Sequence, residues 1–228
     1  MTALTVQVVA ANEDGFITYF DLGPGMGEAT GYSNNAKVRI GRESSSEEKD
    51  YFGWVHLKNL TIAQGATINN AKLYLYWHAS TGFDDGDPSE GMTVKAEDIN
   101  SAARPANYAA VAGWTLTSAS ATVSSFIDAS PNEESMAPNE EFSAGWYPSA
   151  GLEIKTVLQE LVDRSGWSSG SNVNLKLTPS VYDDSIDWKI DWKDYDTSTS
   201  LAPKLVIDYT AAAASAATSP AFLLFSGM

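Results

Sequence analysis

Residues 60–76 read LTIAQGATINNAKLYLY, and this stretch decides the fold. Leu73 and Leu75 alternate with Tyr74 and Tyr76, the period-two pattern of a half-buried strand. Gly65 suits a turn, and Ile62 and Ile68 flank it as core anchors, so the segment reads as strand, turn, strand. Two further segments extend this reading. Residues 157–177, VLQELVDRSGWSSGSNVNLKL, read as an amphipathic helix, a Gly/Ser turn and a strand; residues 202–209, APKLVIDY, read as a closing strand. Pro203 at a strand start sacrifices no ladder hydrogen bond.

Short alternating runs recur around these three segments. They include Leu4, Val6 and Val8; Val38 and Ile40, ended by Gly41; residues 54–57; residues 94–97 and 119–126; Val173, Leu175 and Leu177; and Trp188, Ile190 and Trp192. Many short strands separated by Gly, Asn, Asp and Pro predict an all-β, antiparallel β-sandwich. One short amphipathic helix is predicted over residues 152–165. Ile154, Val157, Leu158, Leu161 and Val162 fall at i, i+3, i+4, i+7 and i+8 and make one apolar stripe, with Gly166 as a left-handed stop. The expected core includes Ile62, Ile68, Leu73, Leu75, Leu158, Leu161, Leu175, Leu205 and Ile207.

The 228 residues fit a single sandwich domain over residues 1–210, followed by an Ala/Ser linker and apolar tail over residues 211–228. A formal charge of −15 excludes the basic surface that nucleic acid or an anionic membrane demands. With no Cys, disulfides, zinc–thiolate sites and thiol nucleophiles are excluded. The N-terminus, MTALTVQVV, lacks the basic and apolar regions of a secretory signal.

The motifs Ile62-Ala63-Gln64-Gly65-Ala66-Thr67-Ile68 with Ala71-Lys72-Leu73, then Gln159-Glu160-Leu161-Val162, Gly166-Trp167-Ser168-Ser169-Gly170, and Ala202-Pro203-Lys204-Leu205-Val206 with Asp208-Tyr209 occur in this order. In that order the chain resembles the DNRLRE-type family, which is related to alginate-binding carbohydrate-binding modules. The resemblance implies a jelly-roll-like sandwich of the kind found in polysaccharide-handling, surface and viral structural proteins. It does not fix a ligand.

Five candidate sites follow. Asp84, Asp85 and Asp87 surround Gly86 in an acidic turn. No cofactor is expected and the turn is read as solvated, with a structural Ca²⁺ as the alternative because hard oxygen ligands suit it. Asp183, Asp184 and Asp187 form a second such cluster. Trp188 and Trp192 share a strand face and would make a sugar-stacking platform if exposed; with Ile190 between them, burial is the preferred reading. His78 near the acidic turn could pair with a carboxylate, but no catalytic motif accompanies it. Phe222, Leu223, Leu224 and Phe225, beyond the Ala/Ser linker, are expected to dock on a neighbouring subunit.

The functional expectation is a non-enzymatic virion structural protein, a phage capsid decoration (cement) protein or other surface component. It would be made in the host cytoplasm and would bridge shell subunits. Its partners would be further copies of itself, as a trimer, and the major capsid protein or other virion subunits. The alternatives are an extracellular carbohydrate-binding or adhesion module that holds a surface polysaccharide, and a polysaccharide-acting enzyme.

Overall fold

Alternation of apolar and polar residues drives the chain into strands that each bury one face. The computed structural model describes residues 1–21, 28–34, 37–43, 48–76, 91–123, 146–179 and 188–212. The elements are β1 (Thr2–Gln7), β2 (Asp14–Asp21), β3 (Glu28–Ser33), β4 (Val38–Glu43), β5 (Glu48–Leu60), β6 (Thr67–Tyr76), β7 (Met92–Ala96), α1 (Tyr108–Ala112), β8 (Ala121–Val123), β9 (Trp146–Glu153), α2 (Lys155–Val162), β10 (Ser171–Pro179), β11 (Trp188–Trp192) and β12 (Lys204–Thr210). They form an antiparallel β-sandwich. A four-stranded sheet runs β1-β12-β6-β9, and an eight-stranded sheet runs β11-β4-β5-β10-β7-β8, with β2 joined to β5 and β3 to β2.

The core lies between the sheets, where aligned sandwiches interdigitate their inner faces. Every residue of the expected core is buried there. The deciding stretch takes an unexpected part in this arrangement. Its two strands do not pair with each other: β5 belongs to the larger sheet and β6 to the smaller, so the Gly65 turn is a crossing between layers. Gly65 sits at φ +69°, where a Cβ would be strained, and its N–H donates to the Val162 carbonyl at the end of α2.

The helix is shorter than the apolar stripe predicts. It starts at Lys155 because residues 152 and 153 finish β9, pairing with Leu73 and Lys72. It ends at Val162, with Asp163 as a right-handed cap. Gly166 is not a left-handed stop, since its φ is not positive. What Gly166 supplies is space, because a Cβ there would lie 2.0 Å from the Asn100 side-chain nitrogen. Likewise Gly41 does not end β4, which continues to Glu43.

The motif residues that carry the resemblance have structural work. Gln159 Oε1 accepts the Ile68 N–H at 2.7 Å, while its Nε2 donates to the Ala66 carbonyl at 3.0 Å. Glu160 accepts the N–H groups of Ser118 and Ala119 at 2.8 and 2.7 Å. Trp167 is buried and donates its indole N–H to the Ile62 carbonyl at 2.9 Å.

Candidate binding face

On β5 the side chains of Val55 and Leu57 enter the core, so Phe52, Trp54 and His56 project from the opposite face of the larger sheet. Trp54 is fully buried on that outer face all the same. Gly15 lies opposite it on β2, and Tyr32 of β3 stacks on it with ring centroids 5.7 Å apart and planes 12° apart. Tyr32 is fixed in turn by donating its hydroxyl to the Pro105 carbonyl at 2.8 Å.

The short helix α1 roofs this cluster. Asn107 caps it by accepting the Ala110 N–H at 2.9 Å, and Val111 packs in with Ile17 and Trp54. Around this buried centre Tyr32, Phe52, Tyr108 and Trp114 remain only partly buried. Lys176 of β10 holds its ammonium 5.4 Å from the Phe52 ring centroid, and burial pushes its pKa below the usual lysine value. The result is an aromatic face with Lys176 beside Phe52 and Arg104 near Tyr32.

A polar chain borders it. His56 Nδ1 lies 2.6 Å from Asn174 Oδ1. Asn174 spends its amide on Glu97 Oε2 and the Ala103 carbonyl, both at 2.8 Å. Asn174 Oδ1 is therefore the acceptor and His56 Nδ1 the donor. Burial holds His56 below the ordinary histidine pKa, so this pair is a neutral structural link between β5 and β10.

At the far side of the same sheet, Asp191 on β11 is buried and accepts from Lys37 at 2.5 Å and from Arg39 Nε and Nη2 at 2.5 and 2.9 Å. Burial alone would raise its carboxyl, but the hydrogen bonds from Arg39 and then Lys37 hold it below the usual carboxylate range. Arg39 also lies over the Phe16 and Tyr51 rings.

Of the residues expected to carry function, Trp192 is fully buried beside Ile190. It offers no stacking face, in agreement with the preferred reading of that strand. Nothing is described of the Trp188 side chain. Asp84, Asp85 and Asp87, His78, the cluster Asp183, Asp184 and Asp187, and the tail residues Phe222, Leu223, Leu224 and Phe225 lie outside the described residues.

The aromatic face was missed because its members come from β3, β5, α1 and the segment after α1. One signal was available: Tyr51-Phe52-Gly53-Trp54-Val55-His56-Leu57 is apolar at both parities, which marks a strand covered on both faces. No protein-family model matches the chain, and no curated protein matches it.

Proposed function

We propose that the protein is a non-enzymatic structural subunit of a virus particle, a decoration or other surface component built on a DNRLRE-type sandwich, which bridges neighbouring shell subunits. The observation that carries this reading is the aromatic face formed by Tyr32, Phe52, Tyr108 and Trp114 around buried Trp54. Aromatic side chains in a rigid setting are favoured anchors for protein contacts, and here they sit on a chain of net charge −15 that otherwise favours solubility. Each bound copy would stabilise the assembled shell by mass action, and the tail with Phe222, Leu223, Leu224 and Phe225 would add a second contact.

The same face favours one other reading, a carbohydrate-binding module, because Tyr and Trp rings stack on sugars and Lys176 at the edge would attract an acidic polysaccharide. Mass spectrometry and co-sedimentation on purified particles separate the two. The virion reading expects the chain in high copy on particles and reduced attachment in a Trp114→Ala, Lys176→Gln variant. Absence from particles, with gel retardation by an acidic polysaccharide that the same variant abolishes, would replace it with the second reading.

A further inference from the structure

Asp14 opens β2 opposite Val55 and is fully buried. Its Oδ2 accepts the Tyr195 N–H at 3.2 Å, while its Oδ1 has no hydrogen-bond partner. Asp194, next to Tyr195 in the segment after β11, is also fully buried. Its Oδ1 accepts from the Thr197 hydroxyl at 2.5 Å and the Thr197 N–H at 2.9 Å, and its Oδ2 is likewise unpartnered. The Tyr195 N–H thus ties Asp14 to the residue that follows Asp194, and each of the two buried carboxyls has one idle oxygen.

The charges acting on Asp14 make this arrangement costly. Asp194 acts most strongly, followed by Asp196 and Glu13, and all three are acidic. Glu13 is already committed: it accepts the N–H groups of Val9 and Ala10 and pairs with Lys58. A buried carboxylate oxygen without a donor is unfavourable, and two side by side in a low dielectric repel. A positive species relieves both costs at once.

We propose that Asp14 and Asp194 form a divalent-cation site of the hard-oxygen, Ca²⁺ type, which ties the start of β2 to the segment between β11 and β12. Among the described residues no group of three carboxylates or imidazoles converges on it. Backbone carbonyls and water, which Ca²⁺ accepts readily, would serve as further ligands. Neither residue belongs to the acidic sequence at Asp84, Asp85 and Asp87.

The test is thermal melting of the full chain near neutral pH in EDTA, Ca²⁺ or Mg²⁺, together with Tb³⁺ luminescence excited through Tyr195 and the tryptophans. At a hundredfold excess over Kd, Ca²⁺ should raise the melting temperature by about 5–11 °C. Asp14→Asn and Asp194→Asn should each abolish the rise and the Tb³⁺ emission. Asp14→Asn keeps an acceptor for the Tyr195 N–H and is expected to fold. Proton and ion compete for the two carboxyls, so Tb³⁺ binding to the unaltered chain should weaken as pH is lowered. An unaltered chain indifferent to Ca²⁺ and Tb³⁺ would overturn the proposal and leave a proton as the neutralising species. A Ca²⁺ response that survives both Asn variants would overturn it too, by placing the ion elsewhere. So would Tb³⁺ binding that does not vary with pH, a readout that needs no variant.

Discussion

Replacing Gln159 with Ala tests how α2 is held to the smaller sheet. Strand β9 pairs with β6 only from Lys72 to Tyr76, so the first half of that β6 edge has no strand partner among the described residues. Side chains and the start of α2 replace the missing ladder: Glu153 accepts the Ala71 N–H at 2.8 Å, the Ile154 N–H donates to the Ala71 carbonyl at 2.8 Å, and Gln159 satisfies both the Ile68 N–H and the Ala66 carbonyl. Ala66 and Ile68 are fully buried. The substitution therefore strands one buried donor and one buried acceptor, at about 1–3 kcal/mol each, and a total of about 2–4 kcal/mol is expected after partial relaxation. For a chain of this size that corresponds to a fall in melting temperature of roughly 4–16 °C. Urea unfolding followed by Trp fluorescence should show a lower midpoint with an unchanged slope. Gln159→Glu, which keeps the acceptor but loses the donor to Ala66, should be no better. A loss under about 0.5 kcal/mol would refute the reasoning. Water would then satisfy the edge, and the helix would be held by Val157, Leu158, Leu161 and Val162 alone.

Three further outcomes follow from buried groups. Asp191→Ala leaves Arg39 and Lys37 without their shared carboxylate and should cost about 3–5 kcal/mol in urea unfolding; a loss near zero would mean the ion network contributes nothing. Asp14, pushed up to about 8, takes up a proton on folding, so in EDTA its contribution is fully present below the unfolded value of 3.8 and is lost as pH rises through the folded one. Asp14→Asn should remove a slope of at most about 1.4 kcal/mol per pH unit in that window, and a difference between variant and parent that does not vary with pH would refute the assignment. Trp167→Phe keeps an aromatic side chain of smaller volume but strands the Ile62 carbonyl and should cost at least about 1–3 kcal/mol, measured the same way; full stability would place a water on that carbonyl.

The strands that alternate strongly were legible in the sequence: Leu73 and Leu75 of β6, Val173, Leu175 and Leu177 of β10, and Leu205 and Ile207 of β12 all face the core. Three strands were not. β2 and β3 carry Gly and Thr among their aromatics, and β9 contains Pro148 and Gly151, so none shows a clean period of two. The shortening of α2 was illegible for a different reason. Ile154 belongs to the apolar stripe whether or not the preceding residues are helical, and the pairing of Leu152 with Leu73 decides the matter through tertiary contact. The aromatic face and the carboxyl pair escaped because each assembles residues far apart in sequence. Asp14 reaches the Tyr195 N–H, next to Asp194, only because β2 and the segment before β12 converge, and neither carboxyl lies in a motif.

The pairing of β1 with β12 imposes an order in time. Thr2 finds its partner at Tyr209, and Gln7 finds its partner at Lys204. On a ribosome that adds roughly 5–20 residues per second, the first strand waits on the order of 10–40 s for the last to emerge. Once made, β6 likewise waits for β12, which pairs with it from Thr67 opposite Thr210 to Tyr74 opposite Lys204. Part of the larger sheet can assemble earlier, since β2, β3, β4 and β5 pair among themselves within the first 60 residues, whereas β7 and β8 are joined to them only through β10 (Ser171–Pro179). Synthesis should therefore pass through a stage in which four strands of one layer are paired and their inner face is still bare, and protection by a chaperone would matter most during that stage.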